Sequence, residues 1–167
     1  MGVREILLYP DETLSRKDNA ELDTADRTVD QVVQDLADTL DASPGVALAA
    51  PQIGHAVRAI IVDVTRDRKP ERREGHGRVL MLNPIITQTS DAYRVREGCL
   101  SVPEYTGNVT RYRQAVVKGY VPGSGIRALH CEGFEALAFQ HEVDHLNGAL
   151  FLDRAESARR NLFRRAQ

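Results

Sequence analysis

The chain has 167 residues, the length of one ordinary domain, and 42% of them are hydrophobic, enough for a core. With no Trp and 5% aromatics, that core must rest on Val, Ile, Leu and Ala. Lys+Arg 22 against Asp+Glu 24 gives a net charge of −2, which is not the basic balance of a general DNA or RNA binder.

The N-terminal run MGVREILLYP has no basic segment followed by a long apolar stretch, and nothing approaches the ~20 apolar residues of a membrane span. A soluble, cytoplasmic protein is expected, without membrane contact. Residues 28–43 place Val29, Val32, Val33, Leu36 and Leu40 at helical spacing, and Ser43-Pro44-Gly45 ends that helix. Residues 57–64 are β-branched and read as a buried strand. Further strands are expected at 79–82, 93–97, 115–121 and 126–130. The charged stretch TRDRKPERREGHGR between the first two reads as a solvated loop. Residues 133–147 read as a second helix with Gly148 as its cap. Asp153 to Gln167 reads as a short, Arg-rich final helix. No repeat or linker interrupts the chain. It is expected to form a single domain over 1–167 of the α+β class, with small antiparallel or mixed sheets packed around a central metal-binding helix.

The chemistry concentrates in His141-Glu142-Val143-Asp144-His145. Residues four apart share one helix face, so both imidazoles can reach one ion, and Glu142 stands beside a water on it. Phe134, Leu137 and Ala138 share the face of the histidines, which places the rings on the buried side, where two would be costly without a shared partner. A catalytic metal also needs a third ligand and an open position. Downstream the options fail: Phe151 stands where a metzincin has its third His, and Glu156 is the one Glu in a short tail. Of the two cysteines, Cys131 lies ten residues before His141, roughly 15 Å along a helix axis. Cys99, in Glu97-Gly98-Cys99-Leu100-Ser101 at a strand end, is the better third ligand. A thiolate with two imidazoles leaves the fourth position for water.

Three segments in order now resemble the signature motifs of peptide deformylases: Gly45-Val46-Ala47-Leu48-Ala49-Ala50-Pro51-Gln52, Glu97-Gly98-Cys99-Leu100-Ser101, and Gln140-His141-Glu142-Val143-Asp144-His145. The similarity includes Asn83-Pro84 and Leu150-Phe151-Leu152-Asp153 and covers nearly the whole chain. It implies an enzyme that removes the formyl group from N-formylmethionyl peptides, with Fe(2+) in the cell and Zn(2+) or Ni(2+) as purified. It implies Cys99, His141 and His145 as ligands, Glu142 as general base and acid, and an oxyanion site from the Gln52 amide and the Leu100 N–H. It also implies that the substrate main chain lies along Gly45, Val46, Ala47 and Leu48. Ala47 departs from the family, which usually has Gly there. The departure is harmless at negative φ and crowds the cleft otherwise. A transient ribosome contact through Arg154, Arg159, Arg160, Arg164 and Arg165 is a further implied partner. A metallopeptidase or other metal amidase would use the same ligands. A non-catalytic relative that binds metal or the ribosome would be marked by loss of Glu142 or Gln52, and both are present.

Overall fold

The computed structural model describes residues 2–166. Helix α1 (Thr28–Asp41) buries Val29, Val32, Leu36 and Leu40, the stripe its spacing predicts, with Val33 at the margin. Asp35 is also buried on this helix. Three side chains offset its charge: Arg4 Nε at 2.9 Å, Gln31 Nε2 at 2.7 Å and His55 Nε2 at 2.9 Å. At the C-terminal end Arg66 donates to the carbonyls of Leu40 (3.0 Å) and Ser43 (2.9 Å), and its Nε to Gly45 O (3.1 Å). A cation there complements the helix dipole and fixes the direction in which the chain leaves.

After α1 come β1 (Ala47–Ala49) and β2 (Ala59–Asp63). All five residues of β2 are buried, and alternate side chains go to opposite faces. Ile60 and Val62 meet Phe139 and Val143, whereas Ala59 and Ile61 meet Leu36 and Leu40. The sheet therefore lies between α1 and a second helix, α2 (Gly133–Leu146).

The strands expected at 79–82 and 93–97 are two parts of one, β3 (Arg78–Cys99), and 115–121 is the end of β4 (Val102–Val121). The polar middle of β3 is largely exposed on both faces, so it lacks the alternation that marks a strand; pairing with β4 holds it extended. Bulges near Leu82/Ile85, Ile86/Gln88 and Gly98/Cys99 bend the hairpin. The strand expected at 126–130 is β5 (Gly125–Glu132). The strands form one sheet in the order β1-β2-β3-β4-β5, and every named pair is antiparallel. The class is α+β, as expected.

The tail corrects the sequence reading. In place of one helix from Asp153 there are two single turns, α3 (Phe151–Arg154) and α4 (Ala158–Asn161), then β6 (Leu162–Arg164) paired with Tyr105–Gly107 of β4. Ala155 is extended and breaks the helix. Leu162 packs beside Val102, Phe151 and Leu150, and Arg96 stacks 3.7 Å from the Phe163 ring, contacts that a continued helix would forgo. Gln167, the last residue of that expected helix, lies outside the described residues.

Helix α2 is buried from Glu135 through Leu146. It ends in a paired cap: Gly148 N donates to His145 O (3.2 Å) and Ala149 N to Asp144 O (2.9 Å), with Gly148 at φ 73°. A Cβ on Gly148 would come within 2.6 Å of Ser15 O and 2.7 Å of Arg16 O. Gly148→Ala must therefore accept left-handed backbone and displace a neighbouring segment. Urea unfolding should show a loss of about 2 kcal/mol or more, beyond the 1–2 kcal/mol of the conformation alone.

Candidate active site

Three elements bring the site together. A two-residue turn, Leu100–Ser101, joins β3 to β4 and holds Cys99 at the last pair of the ladder, opposite Val102. The register shift at Gly98/Cys99 turns that strand end toward α2. A short 3-10 turn, Ala50–Ile53, follows β1 and carries Gln52. Helix α2 supplies His141, Glu142 and His145 on adjacent turns.

The donor atoms converge. Cys99 Sγ lies 3.3 Å from His145 Nε2, and His145 Nε2 lies 3.2 Å from His141 Nε2. The corresponding atoms of all three residues fall within 4.8 Å of one another, and all three are buried. Ligand atoms around a tetrahedral ion with bonds of about 2.0–2.3 Å sit roughly 3.4 Å apart. Nδ1 of His141 is taken by Glu97 Oε1, so its Nε2 is the atom free to coordinate. The donor set and its spacing thus suit one ion.

Gln52 is 1% exposed. Its Oε1 accepts from Ala49 N (2.9 Å), which directs its NH2 toward Ser101 Oγ (3.1 Å) and Cys99 Sγ (3.6 Å). Glu142 is buried with one carboxylate oxygen unpartnered. Burial pushes its carboxyl up to about 7, although the nearby His141 ring pulls the other way. Glu97 behaves in the opposite sense. Burial would raise it, but the His141 ring and Arg111 guanidinium hold it down at about 2. Burial also opposes charge on His141, yet Glu97 and the Cys99 sulfur outweigh it and keep that ring above the usual histidine range. Burial, aided by the neighbouring His141, sends His145 well below it.

A cleft of about 810 Å³ opens over these groups. Gly45, Val46 and Ala47 line it, as do Leu100 and Leu137. Leu48 does not: its side chain is fully buried in the cluster with Leu36 and Ile61. Ala47 is not among the residues with positive φ; apart from glycines these are Asn83 and Asp91 among the described residues. Gly45 lies against Leu100, whose Cδ1 would stand 2.8 Å from a Cβ there. Cys131 is not part of this group: it stands on β5 rather than on the helix that the spacing argument assumed, and it sits with His76 and Glu135.

The sequence reading did not find Arg111. This guanidinium is 2% exposed and donates to Glu97 Oε1 (2.7 Å), Glu97 Oε2 (2.8 Å) and Asp144 Oδ2 (2.7 Å). Asp144 also receives Arg154 Nη2 at 2.7 Å. A usable signal existed. Glu97 and Cys99 are two apart on a strand, so a carboxylate shares the inward face of the thiol and requires a buried cation.

The sequence model of the polypeptide deformylase family matches residues 3–161. A peptide deformylase of Syntrophobacter fumaroxidans is 37% identical over 165 residues, 99% of this chain and 94% of that protein. The crystal structure of a peptide deformylase from Legionella pneumophila superposes with a TM-score of 0.84 at 33% identity, over 95% of this chain and 89% of that one. A class I type b enzyme from Acinetobacter baumannii with Met-Ala-Ser bound superposes with a TM-score of 0.81 at 31% identity, over 91% and 98%. Fold, site geometry and these likenesses agree, and the chain belongs to the polypeptide deformylase family.

Proposed function

We propose that Cys99, His141 and His145 hold one divalent ion, iron(II) in the cell and zinc or nickel when these replace it, and that the chain uses it to hydrolyse the formamide of N-formylmethionyl peptides. The observation that carries this reading is the convergence of a sulfur and two imidazole nitrogens beside the unpartnered carboxylate of Glu142. When bound, the ion lowers the pKa of a coordinated water and polarises the formyl carbonyl.

The chain's own groups do the rest. Glu142 accepts the proton of the attacking water and returns it to the leaving amine, so that formate and a free N-terminus result. The Gln52 amide, oriented by Ala49 and Ser101, and the Leu100 N–H meet the charge that develops on the formyl oxygen. The main chain of Gly45, Val46, Ala47 and Leu48 receives the peptide along the outer edge of β1, which has no strand neighbour among the described residues. The Met-Ala-Ser held by the Acinetobacter relative, a peptide that opens on methionine, suits that reading.

A cytoplasmic site of action and a transient ribosome contact through the Arg-rich tail complete the proposal. Arg154 is engaged with Asp144, Arg164 lies over the Tyr105 ring and Arg165 lines the cleft. Arg159 and Arg160, both exposed, are the tail cations best placed to meet phosphate. Among the described residues, no helix is long and apolar enough to cross a membrane.

Formate release from formyl-Met-Ala-Ser by iron enzyme prepared without oxygen tests the whole reading; cleavage of unformylated peptides in its place would assign a peptidase. Cys99→Ser should lose the central ion and the activity, whereas Cys131→Ser should keep both, as judged by metal analysis and turnover. Glu142→Gln should retain the ion and lose roughly 10²–10⁴ in kcat. A folded, metal-loaded variant with normal turnover would end the proton-transfer role. Ala47→Gly should raise kcat/KM by a small factor, through KM, because only one methyl at the cleft wall is removed.

A further inference from the structure

Cys131 has company of its own. It sits near the end of β5 at 1% exposure, and Glu135 stands on the first turn of α2 at 1% exposure. The charged segment 65–77 carries His76 over both. Its backbone N–H donates to Glu135 Oε2 at 2.6 Å, and its Nδ1 lies 2.6 Å from Glu135 Oε1. The sulfur, a carboxylate oxygen and an imidazole nitrogen fall within 4.8 Å of one another. Gly75 permits this closure, since a Cβ there would come 2.2 Å from Glu135 Oε2.

We propose that His76, Cys131 and Glu135 form a second site for a divalent ion of the zinc class, and that the ion clamps segment 65–77 onto the start of α2. The donor set is sulfur, nitrogen and oxygen, the mixture a borderline-soft ion accepts. A thiolate and a carboxylate together neutralise a dication, which makes the charge tolerable at a buried position. Left alone, the sulfur stays a thiol, because burial and the adjacent Glu135 carboxylate both oppose its ionisation. Coordination releases the thiol proton to solvent and leaves the neutral His76 ring protonated on Nε2, with Nδ1 on the ion. The His76 side chain is 38% exposed, so the ion has an outward path and an open fourth position for water. The fit needs only ångström-scale adjustment, and the exposed partner is the one able to move.

The clamp reaches the cleft. Arg72, on the same segment, lies 4.8 Å from the centre of the Phe134 ring, and both residues line the cleft wall. Securing His76 to Glu135 therefore secures that wall, at the opposite end of α2 from His141 and His145.

Titration of the metal-loaded enzyme with Zn(2+), followed by calorimetry and metal analysis after dialysis, should find one further equivalent. Uptake of that equivalent should weaken at least tenfold in Cys131→Ser and in His76→Gln, with the resident ion retained in both. Co(II) should give a thiolate charge-transfer band that grows with the second equivalent and is absent in Cys131→Ser. Zn(2+) should slow tryptic cleavage between Arg66 and Arg78 in the wild type only. No further equivalent in the wild type, or one that persists in both variants, overturns the site; unchanged cleavage overturns the clamp. If Cys131→Ser does not fold, His76→Gln, at a half-exposed side chain, decides the question.

Discussion

The structure turns on one buried ion chain, Glu97–Arg111–Asp144. Arg111 lies on β4, Glu97 on β3 and Asp144 on α2, so a single guanidinium ties the long hairpin to the central helix. Such a chain adds little net stability, because desolvation consumes most of the Coulombic gain. Its value is positional. Glu97 accepts from His141 Nδ1 and thereby sets that ring's tautomer and orientation, and Asp144 fixes the turn between the two histidines. Removing Arg111, the shared member, would leave the buried Glu97 with the His141 ring alone and Asp144 with the half-exposed Arg154, at a cost of about 3–5 kcal/mol. The hairpin could then drift from the helix, carrying Cys99 away from the rings.

Much of this was legible in the residues. The stripe of Val29, Val32, Leu36 and Leu40 and the buried run of β2 report burial directly through their periodicity. His141 and His145 follow from helix geometry, and Cys99 follows from having no competitor within reach. What stayed hidden has a common cause. The middle of β3 is polar on both faces and exists as strand because β4 lies beside it. Residues 162–164 are strand because Tyr105–Gly107 offers an edge. Arg111 is buried because two carboxylates from distant segments converge on it. Each is a property of pairing between remote parts of the chain, and no local window contains both partners. Leu48 shows the limit at finer scale, since its motif membership is compatible with a side chain on either face of β1.

The segment from Thr65 to Arg78 carries a related lesson. Its composition reads as solvated loop, and most of its residues are indeed exposed. Yet Arg66 at one end holds the carbonyls of Leu40, Ser43 and Gly45, and Arg78 at the other reaches Asp41 and Asp63. With its ends moored, the stretch becomes a wall of the cleft, and the positions of Gly45 and Val46 depend on where α1 stops.

Gln140 closes the design. The outer edge of β4, opposite β3, pairs with β6 over Tyr105–Gly107 and with β5 from Gln114 onward, which leaves 108–113 without a strand neighbour on that edge among the described residues. The Gln140 amide fills that gap as a strand would: its Oε1 accepts from Tyr112 N at 3.0 Å, and its Nε2 donates to Tyr112 O at 2.8 Å. An open edge invites another extended chain. By committing a helix side chain to one residue's backbone, the fold satisfies the outward N–H and C=O of Tyr112 and closes β4 to pairing at that point. The residue just before His141 thus blunts a sheet edge whose free N–H and C=O groups would otherwise be a template for a second extended chain.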